Sequence, residues 1–192
     1  MCGIGGLLLF GAAQDSGMLN EAAQRLNRLQ QHRGPDDEGA WTDGKHCVLA
    51  HRRLSIIDLS SRGRQPMGDA SGRYLICFNG EIYNYRELRS RLEAKGREFR
   101  TGTDTEVLLA GFIEMGDAVF EKLDGMFAVA IYDSRERELT LARDRAGEKP
   151  LYYAHSAHSF AFASELRPLA ELIAPRTRLD SYGVCQYLML RY

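Results

Sequence analysis

Met1-Cys2-Gly3-Ile4 opens the chain with a cysteine directly after the initiator methionine. Once that methionine is cleaved, the thiol and a free α-amine belong to one residue, a nucleophile that carries its own base. The α-amine, with an ordinary pKa of about 7.7–8.0, is partly unprotonated at neutral pH. It can take the thiol proton, directly or through one water. A small second residue also has a plainer reading, as a mark of methionine removal. Asn79-Gly80, between Leu75-Ile76-Cys77-Phe78 and Glu81-Ile82-Tyr83, supports two readings as well. Spacing alone favours a hairpin turn, because Asn-Gly is the strongest short hairpin signal. An asparagine amide beside a glycine N–H also makes a donor pair able to converge on a developing oxyanion, and glycine lets a substrate approach the backbone closely.

Arg53 and Asp104 raise a third chemistry. A cation with a planar guanidinium and an anion could together hold the α-carboxylate and α-ammonium of a free amino acid. Each has a plainer role too. Arg53 reads as a solvated charge in the strand-like His51-Arg52-Arg53-Leu54-Ser55-Ile56, and Asp104 as an acid at a helix start, where the dipole favours it. Spacing does not say whether the two meet.

The surrounding elements must position these residues. An apolar run predicts a buried strand over 3–10, then a turn over 11–17. Leu19, Ala22, Ala23, Leu26 and Leu29 recur at helical spacing, and the helix should stop near His32-Arg33-Gly34-Pro35, where glycine permits a left-handed cap and proline cannot continue. Strands are expected over 39–42 and 47–57, a loop over 63–72, and a strand over 74–78 that breaks at Asn79-Gly80. Asn84-x-x-Glu87 and Thr103-x-x-Glu106 have the form of capping boxes, opening helices that stop near Gly96 and Gly116. A short helix over 119–123 precedes strands over 126–132, 138–143, 151–153 and 160–163, and helices over 166–173 and 181–190 follow. Strands clustered between helices predict an α+β layered fold rather than alternating βαβ units. Phe127-Ala128-Val129-Ala130-Ile131 is apolar throughout, so both faces of its sheet should be covered. Two antiparallel sheets packed on each other, with helices outside, satisfy this.

Composition bounds the function. At 192 residues and 44% hydrophobic content the chain can bury a full core, and its length suits one domain over 1–192. A net charge of −1 and a pI near 6.5, without a long run of like charge, give no electrostatic footprint for nucleic acid or anionic lipid as partners. The run Gly5-Gly6-Leu7-Leu8-Leu9-Phe10 is too short to span a bilayer and lacks a basic flank, so the chain reads as cytoplasmic, without membrane association. Cys2, Cys47, Cys77 and Cys185 are widely spaced with no C-x-x-C pair, which argues against a metal site or a disulfide framework. Cys47 and Cys77 lie in apolar runs and read as small buried hydrophobes. There is no internal repeat or long linker.

The motifs taken together carry a family resemblance. They run in order as Met1-Cys2-Gly3-Ile4, His32-Arg33-Gly34-Pro35-Asp36, Arg53-Leu54-Ser55-Ile56-Ile57-Asp58, Gln65-Pro66-Met67 and Asn79-Gly80-Glu81-Ile82-Tyr83-Asn84. The second half adds Thr101-Gly102-Thr103-Asp104, Gly125-Met126-Phe127-Ala128, Arg143-Asp144-x-x-Gly147-x-Lys149-Pro150-Leu151-Tyr152 and Phe162-Ala163-Ser164-Glu165. Over nearly its whole length the chain resembles the N-terminal glutaminase domain of glutamine-hydrolysing asparagine synthetases.

The resemblance implies a four-layer αββα N-terminal-nucleophile hydrolase fold and a class II glutamine amidotransferase reaction. Carried over by position, Cys2 is the nucleophile once Met1 is removed, and the Asn79 side chain with the Gly80 N–H forms the oxyanion hole. Arg53, Asp104 and the neighbourhood of Glu81 hold the amino-acid head of L-glutamine, with Leu54, Ser55, Ile56 and Ile57 lining the pocket. Arg33 supports the site rather than touching substrate. No cofactor is implied for this domain. ATP and magnesium belong to a C-terminal synthetase domain, the expected partner, whose Ser-Gly-Gly-x-Asp-Ser pyrophosphate loop has no counterpart here. The chain stops at Leu188-Met189-Leu190-Arg191-Tyr192, where family members usually run on, so it reads as the N-terminal part of a longer protein, for which a homodimer is compatible. Glu148 departs from the usually apolar position in the Gly-x-Lys-Pro motif. Three other readings are a catalytically silent amino-acid-binding or docking domain, an amidotransferase serving a different carboxyl acceptor, and an N-terminal cysteine hydrolase of another amide.

Overall fold

The structure, a computed structural model, describes residues 1–11, 16–55, 61–173 and 180–190. Its strands are β1 (Gly3–Leu9), β2 (Asp37–Thr42), β3 (Cys47–Arg53), β4 (Met67–Gly68), β5 (Tyr74–Ile82), β6 (Gly125–Asp133), β7 (Glu138–Arg143), β8 (Tyr152–His155) and β9 (Ser159–Ala163). The helices are α1 (Ser16–Leu29), α2 (Tyr85–Glu93), α3 (Asp104–Met115), α4 (Leu166–Ile173) and α5 (Ser181–Leu190). Two antiparallel sheets form, ordered β2-β3-β1-β9-β8 and β4-β5-β6-β7.

Period-two alternation along each strand sorts the side chains into layers. Ile4 and Leu8 of β1, Cys47 and Leu49 of β3, Leu75 and Cys77 of β5, Ala128, Ala130 and Tyr132 of β6, and Phe162 of β9 fill the space between the sheets. Ile76, Phe78 and Ile82 of β5, with Phe127, Val129 and Ile131 of β6, face outward onto Leu88 and Leu92 of α2 and Val107 and Leu108 of α3. Across the other sheet, Leu26 of α1 and Leu169 of α4 pack on Ala50, Ala161 and Ala163. The second sheet is therefore apolar on both faces, as the Phe127–Ile131 run requires, and the layers stack α-β-β-α.

Several elements differ from expectation for identifiable reasons. Asn79-Gly80 is no turn: it continues β5, with Asn79 opposite Ala128 and Gly80 opposite Phe127, because β6 extends far enough to pair it. β3 ends at Arg53, not at 57, since Leu54 and Ser55 leave the ladder and residues 56–57 lie outside the described residues. Within the expected loop over 63–72, Met67-Gly68 forms the short β4 against Leu75-Ile76. Asn84 does not cap α2; its side chain instead donates to Lys122 O at 2.9 Å and accepts from Asp124 N at 3.1 Å. Thr103 does cap α3, accepting from Glu106 N at 3.2 Å, but the Glu106 carboxylate turns to the Arg100 and Thr101 amides instead of completing the reciprocal box. The expected turn over 11–17 lies mostly outside the described residues.

Candidate active site

Cys2, His51, Arg53, Asn79 and Glu81 extend the inward rows that build the inter-sheet core, so strand register alone brings them to one end of that space. There the two sheets leave a cavity of about 270 Å³. Its walls include Cys2, Arg53, Leu54, Asn79, Gly80, Glu81 and Asp104. A volume somewhat below the range of about 300–1,000 Å³ typical of drug-sized ligands suits a small polar substrate. Another cavity, of about 360 Å³, lies over Met67, Phe99, Leu109 and Ile113, with no cysteine, serine or histidine in its wall among the described residues.

Cys2 is half-buried, and its sulfur faces the chain where it leaves β3. Leu54 N donates to Sγ at 3.4 Å, and Sγ stands 3.7 Å from Leu54 O. Burial pushes the thiol pKa up, while the Leu54 backbone contact, the terminal ammonium and the guanidinium groups of Arg53 and Arg33 pull against that rise. The flanking motifs explain how the strand start is held. Ser164 Oγ accepts from Ile4 N at 3.0 Å, and Arg33 Nε donates to Cys2 O at 3.0 Å. Arg33 Nη1 reaches Glu165 at 3.0 Å, and His32 Nε2 reaches the same carboxylate oxygen at 2.9 Å.

The Arg-Gly-Pro-Asp segment approaches β3 so closely that a Cβ on Gly34 would fall 2.4 Å from the carbonyl carbon of Arg52. Asp36 then accepts from Ser55 N at 2.8 Å. Ser55 thus ties the Leu54 segment to this turn and does not line the cavity. Ile56 and Ile57, the other residues expected in the pocket wall, lie outside the described residues.

Asn79 is 2% exposed, and its Nδ2 has no hydrogen-bond partner among the described residues. A buried amide left without an acceptor is costly, so one aimed into a cavity wall marks a place where a ligand oxygen would be stabilised. Gly80 is required on steric grounds: a Cβ there would stand 2.3 Å from Met126 O and 2.8 Å from Phe127 Cα. Asp104 is 5% exposed at the first turn of α3, and its Oδ2 accepts from Ile82 N at 3.1 Å. Burial pushes its carboxyl pKa up, an effect the Ile82 and Thr105 amides counter. Arg53, 8% exposed, packs against Gly63, where a Cβ would meet Nη2 at 2.3 Å.

Among the polar wall residues, Gln65, Thr103, Thr105 and Lys149 were given no role in the site by sequence reasoning. Lys149 is buried with Nζ 3.8 Å from Met1 Sδ, and the Asp144 carboxylate accepts from its amide at 3.0 Å. Gln65 and Lys149 belong to quoted motifs, but nothing in their spacing says that they turn toward Cys2. Among the described residues, no three His, Cys, Asp or Glu side chains stand together as a metal site requires. No described helix is long and apolar enough to cross a membrane.

A family model described as a glutamine amidotransferase domain matches residues 1–192. The chain is similar to a putative glutamine-hydrolysing asparagine synthetase of Mycobacterium bovis, 41% identical over 210 residues covering 100% of this chain and 32% of that protein. It is also similar to asparagine synthetase B of Escherichia coli, at 39% identity over 88% of this chain and 30% of that protein. A third relative, asparagine synthetase 3 of Bacillus subtilis, is 38% identical over 97% of this chain and 30% of its own length. The chain thus spans about a third of the length of these relatives. Among solved structures, a glutamine phosphoribosylpyrophosphate amidotransferase from B. subtilis superposes with a TM-score of 0.66 at 22% identity, covering 87% of this chain and 42% of that one. A structure described as the allosteric regulatory enzyme of purine biosynthesis superposes with a TM-score of 0.70 at the same identity and coverage. These two likenesses speak for the fold, and the α-β-β-α layering agrees with the N-terminal-nucleophile architecture expected above.

Proposed function

The chain belongs to the glutamine amidotransferase domain family, and on that premise we propose that it hydrolyses the side-chain amide of L-glutamine to glutamate and ammonia through a thioester on Cys2. The observation that carries the reading is the meeting, in one small cavity, of the Cys2 thiol with Asn79, whose Nδ2 has no partner among the described residues, between Arg53 and Asp104. Met1 is joined to Cys2 by a peptide bond in the structure, and cleaving that bond turns the Cys2 nitrogen into an amine with an ordinary pKa of about 7.7–8.0.

In the proposed reaction this amine takes the thiol proton as Sγ bonds to the side-chain amide carbon of glutamine. The amide oxygen gains negative charge, which Asn79 Nδ2 and the Gly80 N–H stabilise. The amine returns the proton to the departing nitrogen as the C–N bond breaks, so ammonia leaves and the thioester remains. Water, deprotonated by the same amine, adds to the thioester, and collapse restores the thiol and releases glutamate. Leu54 N, which already donates to Sγ at 3.4 Å, stabilises the thiolate. Asp104 would pair with the α-ammonium of glutamine and Arg53 with its α-carboxylate, with Glu81 in the wall beside them. This step needs no cofactor.

The ammonia would pass to a carboxyl group activated with ATP and magnesium, that of aspartate or another acceptor, in the synthetase part of a longer protein. Glutamate release by purified chain, with Met1 removal verified by mass spectrometry, tests the glutaminase step. Turnover in the processed wild type and none in Cys2→Ala is expected. Processed chain that binds glutamine without turning it over would overturn the reading in favour of a silent amino-acid-binding domain.

A further inference from the structure

In the proposed reaction the nucleophile and the oxyanion donors sit on different sheets: Cys2 precedes β1 of the first, and Asn79-Gly80 belongs to β5 of the second. Something must fix their separation, because a misplacement of about 1 Å at a reacting centre can cost a hundredfold in rate. Apolar contacts between sheets are non-directional and do not set such a distance.

We infer that His51 and Gln65 act as a clamp on the Phe78 backbone that holds the oxyanion donors of β5 in register with the Cys2 nucleophile just before β1. His51, on β3, stands opposite Ile4 in the β1–β3 ladder, two residues from Cys2. Its imidazole crosses the inter-sheet space, and Nε2 lies 3.1 Å from Phe78 O, the carbonyl of the peptide that begins Asn79. A carbonyl only accepts, so Nε2 carries the proton. At the N–H of the same residue, Gln65 Oε1 accepts from Phe78 N at 2.6 Å. β4 reaches only Met67, opposite Ile76, so beyond it no strand backbone among the described residues supplies these bonds, and side chains take over. The clamp is itself anchored: Gln65 Nε2 donates to Thr105 Oγ1 at 3.3 Å, one residue from Asp104.

His51 is 1% exposed, and its Nδ1 has no partner among the described residues. A buried polar ring with one satisfied nitrogen is retained at a cost in desolvation, which an apolar residue of similar size would avoid. Burial is also the main reason its pKa falls to about 4, so the ring is neutral at physiological pH and brings no charge beside Arg53. His51 is thus a positioning residue. It is not among the described residues that wall the Cys2 cavity, and acts through the Phe78–Asn79 peptide.

The inference rests on the glutaminase reading for its kinetic test and is independent of it for its structural one. In processed chain, His51→Leu should lower kcat about ten- to a hundredfold with KM little changed. His51→Gln, whose Nε2 is the nearest mimic of the imidazole donor, should recover most of the loss. Glutamine binding, measured by calorimetry with Cys2→Ala added, should keep its affinity and one-to-one stoichiometry in His51→Leu, which separates mispositioning from unfolding. The Asn79 side-chain amide resonance in ¹⁵N spectra should shift in His51→Leu and return toward the wild-type position in His51→Gln. An unmoved Asn79 resonance, unchanged kcat, or a loss of kcat matched by lost binding stoichiometry overturns the clamp. Wild-type chain that never turns over glutamine refutes the glutaminase reading alone, because the Asn79 resonance still reports on the clamp.

Discussion

Arg33 grips Cys2 by its backbone: Nε donates to the Cys2 carbonyl at 3.0 Å while Nη1 holds Glu165 at 3.0 Å. One planar guanidinium thereby joins the turn after α1, the start of β1 and the chain after β9. The Arg33 side chain is 9% exposed and Glu165 29%, so solvent screens the pair only partly. Hydrogen bonds to charged groups are worth about 1.5–3 kcal/mol. Arg33→Ala should lower stability by about that amount in urea titration and should also depress glutaminase turnover. Arg33→Lys keeps the charge but loses the fork that reaches both partners, so it should behave like the alanine variant. Full rescue by lysine would show that charge alone matters here.

Asn79→Ala should separate activity from stability. Because Nδ2 has no partner among the described residues, truncation breaks no bond at that nitrogen and leaves the β5–β6 ladder intact. Thermal denaturation should change little. Removing an oxyanion donor, by contrast, costs on the order of a hundredfold or more in turnover. Near-normal turnover in a folded Asn79→Ala chain would remove this amide from the mechanism.

Asn79-Gly80 also shows where sequence reasoning ran out. Hydrophobic periodicity located most strands and helices, because burial on one or both faces writes itself into residue order. Whether an Asn-Gly pair turns or continues depends on how far the partner strand extends, and β6 lies more than forty residues away. The donor-pair reading stood beside the turn on spacing and was carried by the resemblance, and Asn79→Ala tests it. Ser55 was placed in the pocket by resemblance, yet its amide bonds Asp36, a contact set by the close approach of Gly34 to β3. His51 entered the sequence reading only as the first residue of the strand-like run that carries Arg53. Its bond to Phe78 spans two sheets, and nothing local encodes it. The same holds for Gln65 and Lys149, whose long side chains could turn to either side of the loops that carry them.

Gly80→Ala tests the register that the proposed oxyanion donors depend on. The added methyl would meet Met126 O at 2.3 Å and Phe127 Cα at 2.8 Å, both backbone atoms of the partner strand that cannot swing aside. Relief requires β5 and β6 to part near the cavity. Overpacking of this kind costs about 1–3 kcal/mol. The variant should therefore show a lowered denaturant midpoint, faster amide exchange at 125–128, and turnover lost out of proportion to the folded fraction. Wild-type exchange rates in that segment would mean that the strands absorb the methyl elsewhere.

His51 and Asp133 should each contribute a separate loss of stability as pH is lowered. His51 is held to a pKa of about 4, chiefly by burial with Arg53 and Arg52 adding to the effect, against the Phe78 bond and Asp37, which raise it. An unfolded imidazole titrates near 6.5. Between about pH 6.5 and 4 the unfolded chain binds a proton that the folded chain does not, so stability declines as pH falls through that window and levels off below it. Asp133 behaves differently. Hydrogen bonds from Arg73 hold its carboxyl to about 2, against about 3.9 unfolded, so its contribution is present above pH 4 and is lost between about pH 4 and 2. Urea titrations from pH 2 to 8 should give a wild-type minus His51→Gln difference that changes only across the upper window. The corresponding Asp133→Asn difference should change only across the lower one. A His51 difference that stays flat between pH 6.5 and 4 would mean that the imidazole folds as a cation and bonds Phe78 in that form.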